Sequence, residues 1–153
     1  MSKFRFRLQR VLDYRASLVE AQEAELAQCL AALQRSLQEL AALNHEHQQA
    51  LSTLGNTTSG QLRVEQIAAT WRYLDVLRHR QERTTNEVQA RQATVAATRD
   101  KLVQLKQEEQ IMVKLRDRQK ARAEVAQRRQ EVKEMDDLTA TRHSFTRTGV
   151  NGK

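Results

Sequence analysis

Proline is missing from all 153 residues, glycine occurs four times, cysteine once, and aromatic side chains make up only 4% of the chain. Globular domains of this length ordinarily place several prolines in their turns, and a core so short of rings is hard to close. The lone Cys29 has no second cysteine with which to form an internal disulfide, which fits a reducing compartment. No apolar run approaches the roughly 18 residues of a spanning helix, so membrane insertion is not expected. Arginines stand where a secretory leader would carry its apolar segment, and a cytoplasmic location is expected. A phosphate-binding glycine loop, a nucleophile elbow and a His-Glu helix motif are all missing. The expectation is therefore no enzymatic activity and no cofactor. His45 and His47 diverge on a helix and have no carboxylate or cysteine at ligand spacing, so no metal site is expected.

Alanine, glutamate, glutamine, leucine and arginine are abundant instead, and 29% of the chain is charged, a composition that suits long helices and coiled coils. From Leu26 the apolar positions run Leu26, Leu30, Leu33, Leu37 and Leu40, then Asn44, His47, Leu51 and Leu54. Steps of four and three place them along one face of a helix that meets a partner. Leu8, Leu12 and Val19 extend this face upstream, with one change of winding near Gln22. The only cluster of Gly, Asn, Thr and Ser before the end of the chain is "GNTTSGQL", residues 55–62. Gly55 suits a helix C-cap, and Thr58 with Gln61 has capping-box spacing for a new helix. Beyond it Ile67, Leu74, Gln81, Val88, Val95 and Leu102 recur every seven residues, with Leu77, Leu105 and Met112 on the neighbouring row. The expected fold is all-α, a long antiparallel two-helix coiled-coil hairpin occupying residues 1–138. Its first helix runs from about residue 5 to 54, its turn over 55–62, and its longer second helix over about 63–138. Periodicity is lost in "TATRHSFTRTGVNGK", so residues 139–153 are expected to be disordered.

The net charge of +7 is unevenly placed. Residues 1–15 hold five Lys/Arg against Asp13 alone, whereas residues 16–54 hold Arg35 against five glutamates. Residues 111–133 hold eight basic side chains against Asp117, Glu124 and Glu131. At 1.5 Å per residue the two helices are roughly 75 and 110 Å long, so the second overhangs the first by some twenty residues. A fold-back near Thr58 sets Leu8 beside residue 109 and gathers both basic segments at one end. In the overhang Ile111, Leu115, Val125 and Val132 have no internal partner. An unpaired helix of that length is marginal in water, which implies a partner.

The phrase "FRFRLQRVLDYR" at residues 4–15, followed by "AQEAELAQCLAAL", resembles the start of the flagellar FliJ family. The late stretch "LVQLKQEEQIMVKLRDRQKARAEVAQRRQEVKEMDDL" resembles that family's basic helix, with its closing element at Lys133, Glu134, Asp136 and Asp137. The resemblance implies a hairpin similar to the γ-subunit stalk of rotary ATPases, whose joined ends enter the hexameric export ATPase, FliI. It also implies contact with the cytoplasmic domain of the export gate, FlhA, and in some members with export chaperones. That is the work of a peripheral component of flagellar protein export at the cytoplasmic face of the basal body. Injectisomes have a related YscO-type stalk, and the N-terminal phrase favours the flagellar branch. On this chain the ring contact falls to Phe4, Arg5, Phe6, Arg7 and Arg10 and to Arg118, Arg122, Arg128 and Arg129. The gate contact falls to Leu40, Leu43 and His47 in the first helix, and to Trp71, Tyr73, Leu77 and Arg80 in the second. Relatives tend to have tyrosine in the first helix, where this chain has Leu43 and His47.

Other readings compete with these. Phe4 and Phe6 can staple the first turn onto the second helix near Met112 and Leu115 rather than reach into a ring. Trp71 can belong to the seam, and Cys29 reads as an inert small apolar residue. The basic segments suit phosphate groups as well as acidic protein, but no aromatic is interleaved with the later arginines, which weakens single-strand binding by stacking. A scaffolding coiled coil that binds nucleic acid non-specifically, or a chaperone for export cargo, are the alternatives.

Overall fold

The computed structural model describes residues 3–57 and 63–148. Two helices account for 95% of the described residues, with no strand among them: α1, Gln9–Thr57, and α2, Val64–Thr148, of 49 and 85 residues. They pack against each other, α2 is the longer, and the all-α two-helix expectation holds. The described chain forms two compact units, Leu18–Leu105 and the pair of segments Met1–Ser17 and Lys106–Lys153.

In the Leu18–Leu105 unit, Gln22 meets Thr98, Asn44 meets Gln81 and Glu46 meets Tyr73, so the helices run antiparallel. On α2 the inward rows are those expected: Leu74, Val88 and Val95 are buried, as is Leu77 on the second row with Thr84 and Thr98. On α1 one expected row, Leu26, Leu33, Leu40 and His47, is half-buried. The other is displaced by one residue. Cys29, Ser36, Leu43 and Ala50 turn inward, whereas Leu30, Leu37 and Leu51 are 37%, 38% and 44% exposed. The inward row of α2 contains Thr84, Arg91 and Thr98, polar side chains that leucines laid against them would only desolvate. Small and polar residues answer them instead: Gln22 Nε2 donates to the Thr98 carbonyl at 3.2 Å, and Cys29 Sγ lies 3.9 Å from Thr98 Oγ1. Leu43, Ala50, Leu74 and Leu77 form the apolar cluster of this unit, with Leu54 packed on its edge.

Three boundaries differ from the sequence pattern. The helix does not stop at Gly55: α1 continues to Thr57, and no described glycine has a positive φ. Gly55 is thus not a left-handed cap, while the Thr58–Gln61 capping box lies outside the described residues. α1 also begins at Gln9 rather than near residue 5, because residues 3–6 are not helical. Finally, α2 continues to Thr148, correcting the expected end near 138 and the disorder assigned to residues 139–148. No glycine or proline interrupts the stretch between Gly60 and Gly149. Its hydroxyls donate to carbonyls one turn back, Thr139 to Met135 and Thr141 to Asp137 at 2.7 Å, Thr146 to Arg142 at 3.0 Å. A Ser/Thr-rich composition can follow the helical ladder in this way rather than compete with it.

The displaced row is testable by truncation. Leu77→Ala, at a fully buried position, should lower the unfolding free energy by about 2–5 kcal/mol. Leu37→Ala should cost no more than about 1 kcal/mol. Urea unfolding followed by circular dichroism compares the two, and equal losses would mean that Leu37 faces the seam.

Candidate partner-docking surfaces

The unit made of Met1–Ser17 and Lys106–Lys153 carries seventeen basic against nine acidic side chains, and the Leu18–Leu105 unit nine against ten. The positive field therefore belongs to one unit. Its two segments are tied by an ion pair between Arg15 and Glu108, a pair that hydrophobic spacing does not reveal because both residues are charged. Leu12 and Phe6 are buried in the same unit. Arg5, Arg7, Arg10, Arg118, Arg122, Arg128 and Arg129 are all exposed, as a docking role requires. Arg122 and Arg129 border a shallow apolar surface with Ala121, Val125 and Ala126.

The two phenylalanines are placed differently from the arginines. Burial alternates along residues 3–7: Lys3, Arg5 and Arg7 are exposed, Phe4 is half-buried and Phe6 is 8% exposed. A period of two belongs to extended chain, and both rings thereby share a side of the segment. They line a cleft with Gln9 and with Arg116, Asp117, Lys120, Glu124 and Gln127 of α2. Phe6 is therefore seated on α2, about one turn or two beyond Met112 and Leu115. An extended segment advances about 3.3 Å per residue against 1.5 Å in a helix, which carries it further along α2 than a helical start would. The alternation in "FRFR" was the visible signal. Burying one such ring contributes roughly 1.5–3 kcal/mol.

In the Leu18–Leu105 unit the residues assigned to the gate separate into three groups. Leu43 and Leu77 are 6% and 0% exposed and pack together, so they are corrected from contact residues to core. Leu40 and His47 are half-buried in the seam row. Trp71 and Tyr73 are 57% and 47% exposed, which removes Trp71 from the seam. Two residues apart, they point about 200° away from each other around the helix and serve opposite flanks. Tyr73 shares its face with Val76 and Arg80, both exposed, at steps of three and four. Val76 escaped the sequence reading because it lies outside the heptad rows. Arg80 in turn lines a cleft with Glu39, Arg83 and Glu87.

The Tyr73 hydroxyl donates to Glu46 Oε2 at 3.2 Å, tying the two helices at the margin of this face. Partial desolvation raises the Tyr73 phenol above its ordinary value of 10.0, and Glu46 raises it further by accepting its proton and by its charge; Arg80 pulls it the other way. Among the described residues no group of His, Cys, Asp and Glu could hold a metal ion, and no helix is long and apolar enough to cross a membrane.

An antiparallel helix pair that concentrates basic charge in one unit and a mixed aromatic face in the other is a coiled-coil interaction element. The family model described as "Flagellar FliJ protein" matches residues 4–147, and the chain belongs to that family. No curated protein and no solved structure matches it. Family membership makes it a coiled-coil protein associated with the flagellar export apparatus.

The tie between Tyr73 and Glu46 has a pH signature. A raised phenol pKa means that its stabilising contribution is intact below about pH 10 and is lost as the pH rises through the folded value. Ultraviolet titration of tyrosinate should give a lower midpoint in Glu46→Gln than in the parent chain. Identical curves would show that the carboxylate does not hold the phenol.

Proposed function

We propose that the chain is a stalk of the flagellar export machinery. Its basic unit enters the hexameric export ATPase, FliI-like, and promotes assembly of the ring, while its other unit touches the FlhA-like export gate. The observation that carries this reading is the charge division, with a large positive excess in one unit and near-neutrality in the other, in a chain of the FliJ family. Exposed Arg118, Arg122, Arg128 and Arg129 supply cations to acidic loops lining a ring, and Val125 supplies an apolar contact among them. Electrostatic complementarity of this kind speeds encounter and fixes orientation. Tyr73, Val76 and Arg80 form the gate-facing surface; a half-exposed tyrosine is a frequent interface anchor.

The stalk performs no chemistry. An asymmetric helix pair inside a six-fold ring contacts the subunits unequally, and a binding partner shifts a conformational equilibrium by its differential affinity for the states. Escort of export chaperones and residence at the cytoplasmic face of the basal body belong to the same reading.

Replacing Arg118, Arg122, Arg128 and Arg129 together by glutamine should lower affinity for the purified export ATPase by at least about tenfold and reduce its hexamer formation. Binding to the gate domain should persist. Tyr73→Ala with Val76→Ala should do the reverse. If the ATPase ignores the parent chain, and duplex DNA binds it with a steep loss on adding salt, the non-specific scaffold takes the place of the stalk.

A further inference from the structure

Residues 3–6 lie on α2 without belonging to a helix, and what holds them is unequal along their length. Phe6 is buried and Phe4 half-buried. Lys3, Phe4 and Arg5 share a cleft with Ala123, Ala126 and a stripe of three carboxylates, Glu124, Glu131 and Glu134. Lys3 and Arg5 border the same open cleft as the three anions, yet no described ion pair joins them. Glu131 and Glu134 accept instead from their own helix, from Gln127 Nε2 at 3.0 Å and Gln130 Nε2 at 3.2 Å. Among the described residues, the backbone bond of the segment is at its end, where the Phe6 carbonyl accepts from the Gln9 amide at 3.2 Å. One buried ring and an unpaired field must offset the entropy of ordering four residues, so the closed arrangement is only shallowly favoured.

We propose that residues 3–6 are a releasable latch, closed over α2 by the field between Lys3 and Arg5 and Glu124, Glu131 and Glu134, and opened by an acidic protein surface. Such a surface competes for the two cations. When they transfer, Phe4 and Phe6 leave α2 with them and become available to the partner as apolar anchors flanked by arginine. The basic, aromatic segment is thus withheld until a surface of the right charge arrives. An acidic protein patch fits better than nucleic acid: the stripe left behind carries three glutamates, which repel a phosphate backbone laid along the helix but not a discrete patch that meets the latch alone. The inference deepens the reading that this unit docks on an acidic partner, but the latch itself is intramolecular and does not depend on the partner being an ATPase.

The test uses the full chain in a Cys29→Ser background, with nitroxide labels at Ser2→Cys and Val125→Cys and interspin distances measured by pulsed electron paramagnetic resonance. The parent should show a short-distance population. Phe6→Ala, Lys3→Gln with Arg5→Gln, and Glu124→Gln with Glu131→Gln and Glu134→Gln should each cut it by at least about half, with helical circular dichroism unchanged. Polyglutamate of only a few residues, standing in for a discrete acidic protein patch, should open the parent in the same way, while a DNA duplex at equal charge should not. The latch is overturned if the charge variants leave the short population intact while Phe6→Ala abolishes it. The choice of partner is overturned if DNA opens the segment and polyglutamate does not. Neither result depends on whether the export ATPase binds, so the latch and the stalk can fail separately.

Discussion

A seam only two rows wide is the constraint on which this molecule is built. Two helices cannot enclose a core, so each inward residue is met by few neighbours, and mismatch in polarity cannot be diluted elsewhere. Where α2 offers leucine, α1 answers with Leu43 and Ala50, and the result is the apolar cluster around the fully buried Leu77. Where α2 offers threonine, α1 turns Gln22, Cys29 and Ser36 inward. The rotational setting of α1 follows from this pairing, even though it leaves three leucines partly in water. Leucine on the flank keeps part of its contact with the margin of the seam, whereas a polar side chain set against leucine is only desolvated.

That narrowness also separates structural side chains from interacting ones. Every second or third turn must yield its best apolar residue to the seam, as Leu43 and Leu77 do, and the residues left exposed are those one step to either side. On one flank these are Tyr73, Val76 and Arg80; on the other is Trp71. In the basic unit the exposed arginines remain available, whereas Phe6 is held against α2. Exposure of these side chains leaves them accessible on the flanks of the helix pair.

Much of this was legible in the residues. The heptad on α2 from Ile67 to Leu102 marked its inward face, the polar cluster after Leu54 lay close to the end of α1, and the N-terminal phrase pointed to the family. The second row of α1 was not legible, because hydrophobic spacing ranks leucine above serine and cannot see that the opposing residues are Thr84 and Thr98. The end of α2 was hidden for a related reason. Loss of apolar period looks the same in a disordered tail and in a helix whose whole circumference faces solvent. The extended start was visible as an alternation of two, but the helical spacing that follows it invited continuation. Burial of Leu43 and Leu77, assigned to a partner by register with relatives, depended on which side of the seam each register position falls, and resemblance alone does not carry that information.

The chain has one tryptophan, and it stands outside the seam with more than half its surface in water. A protein that covers that flank would withdraw it from water and shift its emission to the blue. The molecule thus contains an intrinsic fluorescent reporter that distinguishes docking on the Trp71 flank from docking anywhere else, without a label.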